Sequence, residues 1–373
     1  MQSGNPVVYR ASYPDPHGLS LSTRWRVKRY HRAMPIDNTS VTLEEVARLA
    51  GVSTSTVSRY LSGTHVVAEE KAAAIESSIK RLNYRPNLVA RGLAKGRTMT
   101  VGVLTQEISS SFFNEAMRGV EDGLASHRYE AIFVSGHWNK VEEEQRLMSL
   151  MGRRVDGVIL LVGDLDDELL DHHARGVPTV LLGRLSASMR VHSLCFDHHA
   201  GASEAVRHLL ELGHRRIAFI AGPPGRQDAE ERLRGYRDTL VAAGLPFDER
   251  LVAPGGYVET GGVTAMNMLL DRGLPFSAVF AANDDSAYGA MLALYRRGVR
   301  VPDDMSIVGY DDLAHSSFSL PPLTSVRQPL RDLGREAAGA VVALIEGRKP
   351  PRASMAKLEL IVRESTKAVP VTG

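Results

Sequence analysis

Ser53, Thr54, Ser55, Ser58 and Arg59 fall within seven residues, with no acidic side chain among them. Short hydroxyls can bond phosphate oxygens or base edges, and an arginine can grip guanine through two hydrogen bonds. The absence of acidic partners is unusual for a merely solvated surface, so the run favours a nucleic-acid face over a passive one. The charge distribution points the same way. Residues 1–40 hold six basic and two acidic side chains, residues 41–99 hold nine and five, and the remainder holds 30 and 36. A basic front on an acidic body suggests a polyanion-binding module joined to a part with another task.

Other reactive side chains offer less. His172-His173 and His198-His199 are adjacent pairs whose rings should diverge on a helix or strand, so no metal site is expected. Gly222-Pro223-Pro224-Gly225 reads as a turn and lacks the lysine of a phosphate-binding loop. No Gly-x-Ser-x-Gly nucleophile motif occurs, and neither a catalytic residue nor a cofactor is expected; the chain does not read as an enzyme. Cys195 is the only cysteine, which excludes an internal disulfide. No stretch approaches the roughly 20 apolar residues of a membrane span, and residues 1–40 carry no apolar secretory core. A cytoplasmic protein without membrane association is the expectation. Residues 1–40 read as a disordered basic arm able to hold phosphates, or as the product of a start mis-assigned upstream of Met34.

Among the elements that would position these residues, Thr42-Leu43-Glu44-Glu45 has the form of a capping box. Val46, Leu49 and Ala50 follow as an apolar stripe, and Gly51 supplies a left-handed stop. Ser53 or Thr54 then caps a second helix running to about Leu61, with Val57 and Tyr60 or Leu61 facing inward. Small Ala47 lets the two helices cross closely. A third helix over about 68–82 brings Ile75, Ile79 and Leu82 to close a small core. Two short helices joined by a tight turn make a helix-turn-helix. From Thr100 onward the pattern changes. Apolar runs such as Val101–Leu104, Ala131–Val134, Gly157–Val162, Thr179–Leu182, Ile217–Ile220, Ala278–Phe280 and Ser306–Gly309 alternate with helical stretches. Continuous apolar strands separated by helices imply parallel sheets covered on both faces, and their number implies two α/β lobes.

The run from Val41 to Ala47 and on through Val57-Ser58-Arg59 resembles the headpiece of lactose-repressor-type (LacI/GalR) transcriptional regulators. Asn83-Tyr84-Arg85-Pro86-Asn87 is similar to that family's linking segment, and Val89-Ala90-Arg91-Gly92-Leu93-Ala94 to its hinge helix. The resemblance extends over nearly all of residues 41–366. It implies an α/β protein with an N-terminal helix-turn-helix headpiece (41–86), a hinge helix (87–97) and a two-lobed periplasmic-binding-protein-like (type 1) sensor body of parallel sheets. The first lobe would comprise 98–196 and 327–352, the second 197–326 and 353–373. Carried over by position, Thr54, Ser55 and Arg59 address bases, while Thr42, Ser53, Thr56 and Asn87 address phosphates, with His65 a weaker candidate. Leu93 becomes a wedge in the minor groove, with Ala90 beside it. Independently of the family, residues 88–95 make barely two turns, which is marginal in water, and Gly92 removes roughly another kcal/mol. Such a helix should order only against its twin and DNA.

The same resemblance names cleft residues. Arg232-Leu233-Arg234-Gly235-Tyr236, Phe280-Ala281-Ala282-Asn283-Asp284 and Val308-Gly309-Tyr310-Asp311-Asp312 match three effector-site motifs. They imply Arg232, Asn283 and Asp311 as ligand contacts, joined by Phe112, Tyr257 and Arg226. Arginine, asparagine and aspartate converging on a cleft suit vicinal hydroxyls, although Asp311 could instead pair structurally with Arg232. The chain departs from the family at Ser110-Ser111, where relatives carry proline, and at Gly183-Arg184, where they carry an acidic residue or asparagine. No heptads follow Lys367, so a coiled-coil tetramer is not expected. The implied function is a homodimeric repressor reading a pseudo-palindromic operator in double-stranded DNA under control of a small effector, a sugar or sugar derivative. The competing reading is a solute-binding protein without regulatory DNA binding.

Overall fold

A computed structural model describes residues 41–62, 67–84, 96–351 and 357–369. The expected arm over 1–40, His65, and the hinge segment with Asn87, Ala90 and Leu93 lie outside the described residues. The chain forms two compact units; among the described residues, one carries three helices and the other every strand.

The first unit comprises α1 (Leu43–Ala50), α2 (Thr54–Ser62) and α3 (Glu69–Leu82). Both halves of the α1 capping box are made. Glu45 N donates to Thr42 Oγ1 at 3.3 Å, and Thr42 N donates to Glu45 Oε2 at 2.9 Å. Such a cap contributes about 0.5–2 kcal/mol. Gly51 ends α1 at φ 68°, a conformation that a side chain would resist. Ser53 caps α2, its Oγ accepting from Thr56 N at 3.3 Å. Val46, Ala47, Val57 and Ile75 are buried together, each large apolar side chain contributing about 1.5–3 kcal/mol. The stripe on α1 differs from the expected one. Leu43, Val46, Ala47 and Ala50 hold the i, i+3, i+4, i+7 positions that pack inward, whereas Leu49 flanks them and is 40% exposed. Tyr60 and Leu61 both pack against the core, as does Tyr84, whose backbone returns to Ile79 through a left-handed Asn83.

The second unit contains two sheets. The first is wholly parallel, in the order β2 (Glu130–Ser135), β1 (Thr100–Thr105), β3 (Gly157–Leu161), β4 (Thr179–Leu182), β5 (Val191–Leu194). Between these strands run α4 (Ser111–Ser126), α5 (Lys140–Gly152) and α6 (Asp167–Ala174). The second sheet has the order β11 (Glu359–Ile361), β10 (Thr324–Arg327), β9 (Ser306–Asp311), β8 (Ala278–Ala281), β6 (Ile217–Ala221), β7 (Val252–Pro254), with only β11 antiparallel to its neighbour. Its helices are α7 (His198–Glu211), α8 (Gln227–Ala242), α9 (Glu259–Asp271) and α10 (Asp284–Arg296). The chain then returns to the first lobe through α11 (Leu330–Ile345), which packs on α4 and under β3 and β4. Glycines make that return possible. A Cβ on Gly119 would stand 2.0 Å from Arg331 O, and one on Gly334 would stand 2.3 Å from Ala116 O.

All seven expected apolar runs are strands. Four others, β5, β7, β10 and β11, lack that signal because they are three or four residues long and carry His, Ser, Thr, Arg, Glu or Pro. Several helices also begin earlier than their apolar periodicity. Asp197 caps α7 through Ala200 N at 2.9 Å, and Asn283 caps α10 through Ser286 N at 3.0 Å. The added first turns contain His198, Asp284 and Asp285.

Candidate functional site: an inter-lobe cleft and an exposed helix face

In both sheets the outward loops at the carboxyl ends of the strands meet across one crevice, the general ligand position of open α/β sheets. The cleft encloses about 690 Å³. Residues at or just beyond the carboxyl ends of β1 to β10 line it, and all six expected positions, Phe112, Arg226, Arg232, Tyr257, Asn283 and Asp311, are among them.

Arg232 on α8 is its centre, with only 3% of its side chain exposed. Its Nη1 donates to Ala282 O and lies 3.7 Å from Asp311 Oδ1. Its Nη2 lies 3.8 Å from Asp228 Oδ2, one helical turn earlier. The guanidinium sits 3.9 Å over the Tyr310 ring centroid. Its Nε finds no hydrogen-bond partner among the described residues, although that atom is buried. A buried donor left unmade is costly, and a ligand oxygen would satisfy it.

The two carboxylates facing Arg232 respond in opposite senses. Burial pushes Asp311 well above the usual carboxylate range, against the pull of Arg232. Burial also works to raise Asp228, but Arg232 and Arg226 hold it below that range. Asp228 Oδ2 accepts from the Tyr257 hydroxyl at 2.8 Å, while Asp311 Oδ1 accepts from Gln328 Nε2 at 2.6 Å. His198 lies behind this group, its Nδ1 3.2 Å from the Tyr310 hydroxyl. Burial, reinforced by Arg232, lowers its pKa to about 3, so the ring is neutral at pH 7.

Two of these residues hold strained backbone. Tyr257 has φ 66° and Asp311 φ 114°, the left-handed region that glycine prefers. Such strain persists only where the surroundings enforce it, and it concentrates at binding sites. Gly222 makes room for the Tyr257 ring, since a Cβ there would stand 2.5 Å from the ring carbons. Asn283 is partly committed to structure. Its Oδ1 caps α10 and its Nδ2 donates to Tyr257 O at 3.2 Å, leaving one lone pair and one hydrogen. Phe112 is half-buried in the first turn of α4, edge-on to Phe113 at 5.2 Å.

The motifs alone did not reveal several lining residues. Trp138 follows β2, His198 opens α7, and Asp228 and Gln328 contact Arg232 and Asp311. A signal for Asp228 existed in its i, i+4 spacing from Arg232. The histidine pairs divide. His198 enters the cleft while His199 turns to Asp238 at 3.1 Å. His172 and His173 do not diverge as expected, since their rings meet edge-on at 5.3 Å. Arg184 bonds Asp167 at 3.1 Å within the first lobe. The preceding Gly183, which lines the cleft, has no space for a side chain because Val162 Cγ2 would stand 2.4 Å away.

On the first unit, Thr42, Ser53, Thr54, Ser55, Ser58 and Arg59 are exposed and Thr56 is half-buried. The Ser53 hydroxyl lies 2.8 Å from both Ser55 Oγ and Thr56 Oγ1, and Arg59 Nε donates to Ser55 O at 3.3 Å. The start of α2 therefore presents hydroxyls and helix-terminal N–H groups, the chemistry that holds phosphate.

Comparison with known proteins places both parts. Residues 42–87 match the profile of bacterial regulatory proteins of the lacI family, and residues 206–366 match a periplasmic binding protein-like domain. The HTH-type transcriptional regulator CelR of Thermobifida fusca is 40% identical over 335 residues, covering 87% of this chain and 98% of the relative. A solved transcriptional regulator CelR–cellobiose complex superposes with TM-score 0.67 at 38% identity, over 87% of this chain and 99% of the other. The lac repressor dimer bound to operator and the anti-inducer ONPF gives TM-score 0.79 at 30% identity, over 88% and 99%. No helix among the described residues is long and apolar enough to cross a membrane.

Proposed function

The chain belongs to the LacI family of bacterial regulatory proteins, and on that premise we propose that it is a sequence-specific repressor whose operator affinity is set by an uncharged saccharide bound between its lobes. One observation carries the ligand class. Both cleft arginines already face carboxylates, Arg232 between Asp228 and Asp311, and Arg226 beside Asp228 at 3.4 Å. Glu107, Asp164, Glu259 and Asp285 add further acidic groups to the lining. A phosphorylated ligand would meet more negative than positive charge, whereas a polyol can accept from Arg232 and donate to the aspartates.

In this reading Arg232, Asn283 and Asp311 hold hydroxyls while Tyr257 and Phe112 cover apolar ring faces. Arg226 belongs to the same wall. The cleft volume falls within the usual range for small-ligand sites, about 300–1,000 Å³. Cellobiose is the first candidate, because a similar regulator has been solved with it. On the DNA side, Thr54, Ser55 and Arg59 read base edges and Thr42, Ser53 and Thr56 hold phosphates. His65 and Asn87 support them, and Ala90 and Leu93 form the minor-groove wedge. Two copies on a twofold axis would read a pseudo-palindrome. No catalytic role is assigned to any residue.

Fluorescence anisotropy with a palindromic fragment bearing a central CG step, with and without cellobiose, tests the proposal. Tight binding to that fragment over a scrambled one, altered by the sugar, is expected. Equal binding to both at moderate salt defeats the regulator reading in favour of a solute-binding role.

A further inference from the structure

The first lobe offers the cleft one large indole, and buried hydrogen bonds fix its backbone. Trp138 follows β2 in a turn where His137 and Trp138 both adopt left-handed backbone, at φ 53° and 55°. Fully buried Gln106 holds the turn. Its Oε1 accepts from Trp138 N at 2.9 Å, its backbone carbonyl accepts from His137 N at 3.0 Å, and its Nε2 donates to Val162 O at 3.2 Å. Buried Glu143 closes the device by accepting from Asp164 N at 3.0 Å. A Cβ on Gly136 would stand 2.4 Å from Glu143 Cγ, and one on Gly163 would stand 2.6 Å from Glu143 Oε2. Two buried polar side chains and two left-handed residues thus aim an indole that remains 37% exposed, with Phe113 at 6.0 Å.

The partner on that indole comes from the opposite lobe. The Arg226 guanidinium lies 3.7 Å from the Trp138 ring centroid. Arg226, 18% exposed, is otherwise held at longer range, with the Tyr257 ring centroid 5.7 Å away. Its carboxylate contact, to Asp228, is long at 3.4 Å. It also occupies the N-cap of α8 without a side-chain cap bond, where a cation opposes the helix dipole.

Resting on the saccharide reading above, we infer that Trp138 is the stacking platform of the first lobe and Arg226 a displaceable cap on it. An indole face attracts a cation and equally covers the C–H face of a pyranose, but it cannot hold both at once. The entering sugar ring replaces the guanidinium, which then swings toward Asp228. Arg226 is therefore a competitor for the subsite and not a ligand contact.

The chain has two tryptophans, Trp25 and Trp138, so Trp25→Phe in the full-length protein leaves Trp138 as sole reporter. In that background Arg226→Ala should raise acrylamide quenching of Trp138 about twofold without sugar. An unchanged quenching constant overturns the cap. Cellobiose should then protect Trp138 from acrylamide, and Arg226→Ala should bind cellobiose about two- to fivefold more tightly, since one cation–π contact no longer has to be displaced. Equal or weaker affinity overturns the competition, and Arg226→Gln, which keeps a polar side chain but removes the cation, must behave like Arg226→Ala. If cellobiose raises the melting temperature yet leaves Trp138 emission untouched, the platform falls while the saccharide reading stands. If cellobiose produces no thermal shift in any variant, the saccharide reading fails and the stacking role with it, while the quenching result still decides the cap.

Discussion

Arg232 and Asp311 lie 3.7 Å apart in the cleft, both almost completely buried, yet they make no direct hydrogen bond. The Asp311 oxygen that faces the arginine is taken by Gln328 at 2.6 Å. The two groups thus face each other across a gap, and a hydroxyl entering the cleft could accept from Arg232 and donate to Asp311. The structural pairing and the ligand-binding role are compatible. The strained φ of 114° at Asp311 further indicates that this carboxylate is placed against backbone preference.

Replacing Asp311 by asparagine should abolish the ligand response while preserving DNA binding without ligand. Asparagine tolerates left-handed backbone and keeps the shape, so the fold should survive. Calorimetric titration with the effector, paired with operator anisotropy, checks this. Undiminished ligand affinity would reassign Asp311 to structure.

Gly222→Ala should weaken ligand binding at least tenfold. The new methyl would drive into the Tyr257 ring, 2.5 Å away, and separate its hydroxyl from Asp228. Operator affinity without ligand should not change. Titration of both activities in the same preparation separates this from general unfolding.

Asp285 should make the protein less stable as pH rises from about 4 to about 6. Burial, with repulsion from Glu259, raises its pKa to about 6 in the folded chain, above the ordinary carboxylate value. The folded state then favours the protonated form, and that contribution is lost as pH climbs through the folded value. Asp285→Asn should therefore melt higher than the parent at pH 7.5 and at the same temperature at pH 3.5. A difference at the lower pH would contradict this origin.

Leu93→Ser should weaken binding to the specific operator while sparing effector affinity, if Leu93 is the wedge the family resemblance implies. An apolar side chain driven between base steps supports a bend that enlarges the contact. Equal operator affinity would remove Leu93 from that role.

Much of this molecule is written locally. A capping box, a glycine stop and short hydroxyls on one helix face are patterns of neighbouring residues, so the helix-turn-helix can be read directly from Thr42 to Arg59. Parallel strands buried on both faces need continuous apolar runs, which is why seven of them are visible. Some strands of three or four residues, such as the edge strand β11 and the interior strand β10 with its buried Thr324 and Ser325, show no such run. Their hydrogen-bonding partners lie far along the chain, and β10 and β11 escape notice for that reason.

The cleft divides in the same way. Arg232, Asn283 and Asp311 could be named because they sit in motifs, and Asp228 is one helical turn from Arg232. Trp138 and Arg226 are 88 positions apart, and no local pattern announces that a guanidinium will lie on an indole. Nor does composition foretell that Asp228 and Asp311, two aspartates facing one arginine, are shifted to opposite sides of the usual carboxylate range. Those outcomes depend on how far each side chain is withdrawn from water and which charges face it. Local sequence determines which helices and strands form; the meeting of ten strand ends at one crevice, and the dielectric inside it, arise only once the lobes are packed.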